Sequence, residues 1–222
     1  MNQMKYLKII YEENEMEFLA KLMCTMIDEG VKIPKAQVER YISPILTIFL
    51  PELLSKIYTN EYIMIMPEFP IRIGRIKRGS SSNQSKNIDF LLYNKTKNIF
   101  TFVELKSDST SFRKSQLKIY KDLQDICDNT INQKFGMLLQ EDLITIHKAT
   151  RLKSKYQYIL DNWEDKYNLI DNMEIIYLVP EKIKNKIEDN LVLSFNDLPK
   201  KLNLYNKEWN VIRDYLIKLD EN

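Results

Sequence analysis

Two short runs of strand-forming residues around a polar turn constrain this chain more than any other feature. Ile88–Tyr93 (IDFLLY) and Ile99–Lys106 (IFTFVELK) flank the segment Asn94-Lys95-Thr96-Lys97. β-Branched, aromatic and apolar residues dominate both runs, and the spacing predicts a β-hairpin. A lone hairpin is marginal in water and needs further strands or helices against it. The chain offers them. Tyr62–Ile73 (YIMIMPEFPIRI) reads as a strand that is bent or at an edge, because Pro67 and Pro70 interrupt it. Met173–Pro180 reads as a buried strand, and Leu191–Phe195 as a candidate for another. Helical periodicity runs through Tyr11–Gly30, from Pro34 to Tyr58, Phe112–Cys127, Gln133–Tyr167 and Asn206–Leu219. A strand that returns after a helix suggests an α/β crossover. The expected class is α/β, a mixed central sheet of about four strands flanked by helices, with an N-terminal helical extension. A single domain is expected over 1–222, with the extension at 1–60, the core at 61–180 and a helical and strand cap at 181–222.

Composition excludes several classes. The formal net charge is only +2, which argues against bulk electrostatic binding and leaves room for local basic patches. Cys24 and Cys127 stand far apart in apolar helical contexts and read as buried thiols rather than a disulfide framework. The N-terminus lacks a signal-peptide apolar stretch. The most apolar segment, YISPILTIFLPELL, is too short to span a bilayer and is broken by Pro44 and Pro51. A cytoplasmic protein with no membrane partner is expected.

Against this background the charges on the hairpin need a reason, since buried charge is costly unless paired or used. Glu104 and Lys106 are two apart on a strand and share a face. Pairing about the turn brings Asp89 to the same open end. Two close carboxylates repel, and one would ordinarily take a proton. A divalent cation removes that conflict. Mg2+, or Mn2+ in its place, takes oxygen ligands and commonly uses one or two carboxylates, several waters and a substrate phosphate. With a lysine beside it to orient a water and stabilise phosphate charge, the natural chemistry is phosphodiester hydrolysis. A bare Glu-x-Lys says little, and the chain carries its own control in Glu164-Asp165-Lys166, on a helical, amphipathic stretch where it reads as a solvated face. The next helix sets Gln116 and Tyr120 four apart on one face, where both would lie over the strand ends.

Asp89, Glu104-Leu105-Lys106 and Gln116-x-x-x-Tyr120, taken together, resemble the PD-(D/E)xK nuclease superfamily. The subset with a Q-x-x-x-Y motif is the nearest in pattern, as in RecB-type and small stand-alone prokaryotic or viral nucleases. The resemblance covers roughly Tyr62–Tyr120 and the strand at Met173–Pro180. It implies a restriction-endonuclease-like fold and Mg2+-dependent cleavage of DNA, less often RNA. Asp89 and Glu104 would be metal ligands, Lys106 the catalytic lysine, and Gln116 and Tyr120 accessory catalytic residues. Many members add an earlier Glu. Glu68 is the favoured position, with Glu39 and Glu52 as the other candidates. The chain departs from the pattern at Ile88, where many members have Pro, and it lacks the upstream histidine of RecB-type domains, since its one histidine is His147.

Phosphate contacts are expected from the basic loop before the hairpin, at Arg72, Arg75, Lys77 and Arg78, and from Arg113 and Lys114. A third basic group, Lys148, Arg151 and Lys155, would share one helical face. The expected function is a Mg2+-dependent nuclease acting on nucleic acid, most naturally DNA, with defence, a mobile element and DNA repair all open as its setting. A homodimer or a partner protein is compatible with it. The alternative is a catalytically inactive nucleic-acid-binding or assembly module on the same fold.

Overall fold

The computed structural model describes residues 17–23, 25, 38–76, 81–107, 114–130, 132–187 and 191–219. It is an α/β structure built on one mixed sheet of five strands in the order β1-β2-β3-β4-β5. The strands are β1 (Tyr62–Arg72), β2 (Ser85–Asn94), β3 (Ile99–Leu105), β4 (Met173–Val179) and β5 (Leu191–Ser194). The first three form an antiparallel meander, and β4 and β5 continue it in parallel. The sheet thus has one strand more than the four expected. β5 is only four residues long, and its pairing to β4 from Ile176↔Leu191 to Val179↔Ser194 is what makes it a strand. As expected, β1 lies at the sheet edge and is irregular, with a register shift between Met64 and Met66. An edge is where Pro67 and Pro70 can go without breaking an internal ladder.

Among the described residues, five longer helices cover the two faces: α1 (Val38–Tyr58), α2 (Lys114–Asn129), α3 (Phe135–Ala149), α4 (Lys153–Asp161) and α5 (Asn206–Leu219). On one face, Leu46, Phe49, Leu50, Leu53 and Leu54 of α1 and Trp209, Ile212 and Leu216 of α5 pack against Phe90, Leu92, Val103, Leu105, Ile176 and Leu178. On the other, Tyr120 and Leu123 of α2 and Phe135, Leu139 and Leu143 of α3 pack against Leu91, Phe100, Phe102, Ile175 and Tyr177. The crossover from β3 to β4 carries α2, α3 and α4, so the end of β3 opens between α1 on one side and α2 on the other.

The helix expected from Pro34 to Tyr58 is there as Val38–Tyr58, while one other helical expectation needs correction. Pro44 and Pro51 do not break the apolar segment, because α1 runs through both. Each proline costs about 3 kcal/mol inside a helix. Burying the five α1 side chains named above returns about 1.5–3 kcal/mol apiece, which outweighs both prolines. Gln133–Tyr167 is not one helical region. α3 stops at Ala149, Thr150 Oγ1 accepts the Leu152 N–H at 3.1 Å, and α4 starts afresh at Lys153. That local side-chain bond competes with helix continuation, so Lys148, Arg151 and Lys155 do not share a helical face. Among the described residues no helix is long and apolar enough to cross a membrane.

Candidate active site

The site forms where β3 leaves the sheet. Every residue from Phe100 to Leu105 is buried, and the ladder runs on past Leu105, with the Lys106 N–H donating to the Leu178 carbonyl at 2.9 Å. The Phe90↔Val103 register, carried one residue further, sets Asp89 across from Glu104. Asp89 Oδ2 accepts the Leu105 N–H at 2.7 Å. Lys106 Nζ donates to Glu104 Oε1 at 2.6 Å and to the Leu105 carbonyl at 3.1 Å. Tyr120, on α2, donates its hydroxyl to Glu104 Oε2. From the opposite face, Glu39 in the first turn of α1 accepts the Ser107 N–H at 3.1 Å through Oε1. Two strands and two helices therefore meet at one sheet end, and Glu104 and Lys106 are each only 4% exposed.

Burial sets the electrostatics. It pushes the Asp89 carboxyl up from 3.8 to about 8, with the Glu104 charge adding to the rise and the Leu105 N–H and Lys106 opposing it. For Lys106 burial acts downward, but the carboxylates of Glu104 and Glu39 outweigh it, and its pKa ends above the ordinary lysine value. Lys106 is thus an ammonium. The Tyr120 phenol is raised well above 10, first by burial and then by Glu104 and Asp89, so it stays a neutral donor.

Glu164 and Lys166 have the same spacing and form the same kind of pair, at 2.7 Å, with both side chains about half exposed. A surface pair of that kind contributes little. The Glu104–Lys106 pair has side chains only 6% and 5% exposed, and desolvating it costs several kcal/mol per ion before attraction returns any of it. The spacing is the same; the cost differs. A buried pair beside a second, destabilised carboxyl is a poor way to hold a sheet together, and groups perturbed in this way are candidates for a functional site.

No protein-family model, curated protein or solved structure matches this chain. Geometry alone therefore carries the site.

The donor chemistry is of the oxygen kind that a hard divalent cation takes. Asp89 and Glu104 supply carboxylate oxygens, and a dication would offset the burial that chiefly holds Asp89 near 8 and the Glu104 repulsion that adds to it. Among the described residues no group of three or more His, Cys, Asp or Glu side chains could hold a metal ion. Two carboxylates with water and a phosphate oxygen are within what Mg2+ accepts.

The remaining expected site residues fall in three groups. Gln116 and Lys114 lie in α2, with side chains outside the described set, and Lys77, Arg78 and Arg113 also lie outside it, as does Cys24. Glu68 stands on β1 between Pro67↔Phe90 and Phe69↔Ile88, level with Asp89, at φ 52°. Its exposed carboxylate accepts from Asn87 Nδ2 at 3.2 Å, and it is not among the charges that act on Asp89. The acid that does act there is Glu39. Glu52 holds the backbone N–H groups of Asn203 and Leu204 instead. Arg72 and Arg75, expected to meet phosphate, have an internal partner: Asp142 on α3 takes Arg75 in a two-pronged bond, 3.0 Å on each side, and Arg72 at 3.5 Å. Cys127 is a buried thiol whose pKa burial pushes up to about 12. Sequence reasoning missed Ser107, Asp142 and Tyr177. Asp142 and Tyr177 sit in patterns that look like ordinary helix and strand.

Proposed function

We propose that this chain is a divalent-cation-dependent nuclease that hydrolyses phosphodiester bonds, with DNA as the expected substrate. The observation that supports the reading is the buried Glu104–Lys106 pair facing Asp89 at the end of β3, against the solvated Glu164–Lys166 pair of identical spacing. Asp89 and Glu104 are the residues that would hold Mg2+. When bound, such an ion polarises a phosphoryl oxygen and lowers the pKa of a coordinated water. Lys106, kept protonated by Glu104 and Glu39, would stabilise negative charge on the phosphate and orient the attacking water. Tyr120 would fix the Glu104 carboxylate through its hydroxyl. Arg72 and Arg75 would brace the loop before β2 through Asp142 more than they would bind substrate.

Purified protein is tested on circular and linear DNA, single- and double-stranded, and on RNA, with Mg2+, with Mn2+ and with chelator. The expected result is metal-dependent cutting that falls at least a hundredfold in Glu104→Ala and in Lys106→Ala, the order of loss seen when one transition-state donor is removed. Equal behaviour of wild type and both variants would sink the reading. One observation favours a second reading, a nucleic-acid-binding module without turnover: both oxygens of Glu104 are already taken, by Lys106 and Tyr120. Under that reading DNA binds with equal affinity in the presence of Mg2+ and of chelator, and is not cut.

A further inference from the structure

Beside Glu104, on the neighbouring strand, stands a tyrosine whose buried hydroxyl has no partner among the described residues. Tyr177 is the register partner of Glu104 on the parallel strand β4. It is 2% exposed, and its hydroxyl has no hydrogen-bond partner among the described residues. Its ring packs edge-on to Tyr120 at 5.6 Å, the same Tyr120 that donates to Glu104. The Glu104 charge acts on the Tyr177 phenol, second only to burial in raising its pKa. An unsatisfied buried hydroxyl is destabilising, and phenylalanine would fill the same space without the penalty. The oxygen therefore needs a reason.

Glu104 supplies one. At present Lys106 and Tyr120 occupy its two oxygens. Two of the three Lys106 N–H groups are committed, to Glu104 Oε1 and the Leu105 carbonyl; wherever the ammonium swings toward a phosphate or a water its bond to Oε1 weakens, and a buried carboxylate that loses a charged donor is left badly compensated. We infer that Tyr177 is a positioning residue for Glu104: a reserve hydrogen-bond donor to its carboxylate when Lys106 turns to substrate. The inference rests on the nuclease reading for its purpose, but not for its test. It gives the site two arrangements, one with Lys106 on Glu104 and one with Tyr177 there, and Tyr120 is common to both.

The test is a double-mutant cycle read by melting temperature. In the wild-type background Tyr177→Phe removes an unpartnered hydroxyl, so the melting temperature stays level or rises by about 2–4 °C. Lys106→Met mimics departure of the ammonium. In that background the Tyr177 hydroxyl is engaged with Glu104, so Tyr177→Phe lowers the melting temperature by about 2–4 °C. The reversal of sign is the signature, because a purely packing role for the ring moves neither background. If Lys106→Met does not fold, Lys106→Gln goes through the same cycle. On cleaved DNA, Tyr177→Phe is expected to lower kcat about tenfold and leave KM unchanged, as for an interaction made only during turnover. A shift of the same sign in both backgrounds, or Tyr177→Phe cutting at the wild-type rate, overturns the inference. Should the wild type cut nothing, the nuclease reading falls, while the sign of the cycle still decides the role of Tyr177.

Discussion

Replacing Asp89 with asparagine tests the electrostatics of the site most directly. The change keeps the shape, and the side-chain oxygen can still accept the Leu105 N–H now held at 2.7 Å. What it removes is ionisation. The Asp89 carboxyl sits at about 8 in the fold against an ordinary 3.8. This is the reverse of the common acidic case, since here the folded state prefers the protonated form. The stability associated with Asp89 is therefore fully present below about pH 4 and is lost steadily as pH rises toward 8. Each pK unit corresponds to 1.36 kcal/mol, so the penalty at pH 7 has a ceiling of about 4 kcal/mol. Water entry and movement of Lys106 offset part of it, and about 2 kcal/mol is a working figure. Asp89→Asn should then melt about 4–8 °C above wild type at pH 7 without a divalent cation, given about 2–4 °C per kcal/mol for a chain of this length. The gap should shrink to nothing near pH 4 and be widest above pH 8. Adding Mg2+ should raise only the wild type, by about 2.7 kcal/mol at a hundred times its dissociation constant. Thermal melts from pH 4 to 9, with Mg2+ and with chelator, read all of this. A gap that does not vary with pH, or a variant less stable than wild type at pH 8, would refute the reasoning, because loss of the Leu105 bond would then outweigh relief of the buried charge.

Three further outcomes follow from the same structure. Glu39→Gln keeps an acceptor for the Ser107 N–H and removes a negative charge acting on both Asp89 and Lys106; calorimetry with Mn2+ should show affinity weakened severalfold, and unchanged binding would take Glu39 out of the site. Gly136→Ala would set a Cβ 1.7 Å from the Tyr167 carbonyl oxygen and 2.7 Å from its carbon; the obstacle is backbone, so a loss of at least about 3 kcal/mol in denaturant unfolding is expected, at the upper end for overpacking, and a neutral result would show that this contact opens easily. Asp142→Ala leaves Arg72 and Arg75 with no buried counter-charge; a loss of about 3–5 kcal/mol is expected for breaking such a group, and a loss under 1 kcal/mol would return both arginines to the list of phosphate contacts.

Much of the sheet was legible in the chain, because its strands carry long, consistent patterns. β2 and β3 are apolar runs about a polar turn, and β4 is buried along almost its whole length. The prolines of β1 pointed to an edge, and an edge is where it lies. The helices were legible in part. The helix through Pro44 and Pro51 was legible from its periodicity to Tyr58, and the apolar face it lays on the sheet is what offsets the two prolines. The break at Thr150 works the other way: a single threonine side-chain bond ends a helix that periodicity alone would continue.

The choice of the upstream acid shows where local reading stops. Glu68 is close to the hairpin in sequence, and the register does bring it level with Asp89. Level is not the same as facing. At φ 52° the backbone turns in the left-handed region, and the carboxylate goes out to Asn87 and solvent. Glu39 is 68 residues from Ser107 in the chain, yet it binds the Ser107 N–H and its charge reaches Asp89 and Lys106. What puts it there is the apolar seam of α1 from Leu46 to Leu54, which fixes that helix on the sheet and carries its first turn over the end of β3. A charge at the start of a helix is thus positioned by leucines two to four turns further on. No spacing rule applied near the motif can recover that, because the information lies in the packing of a different layer.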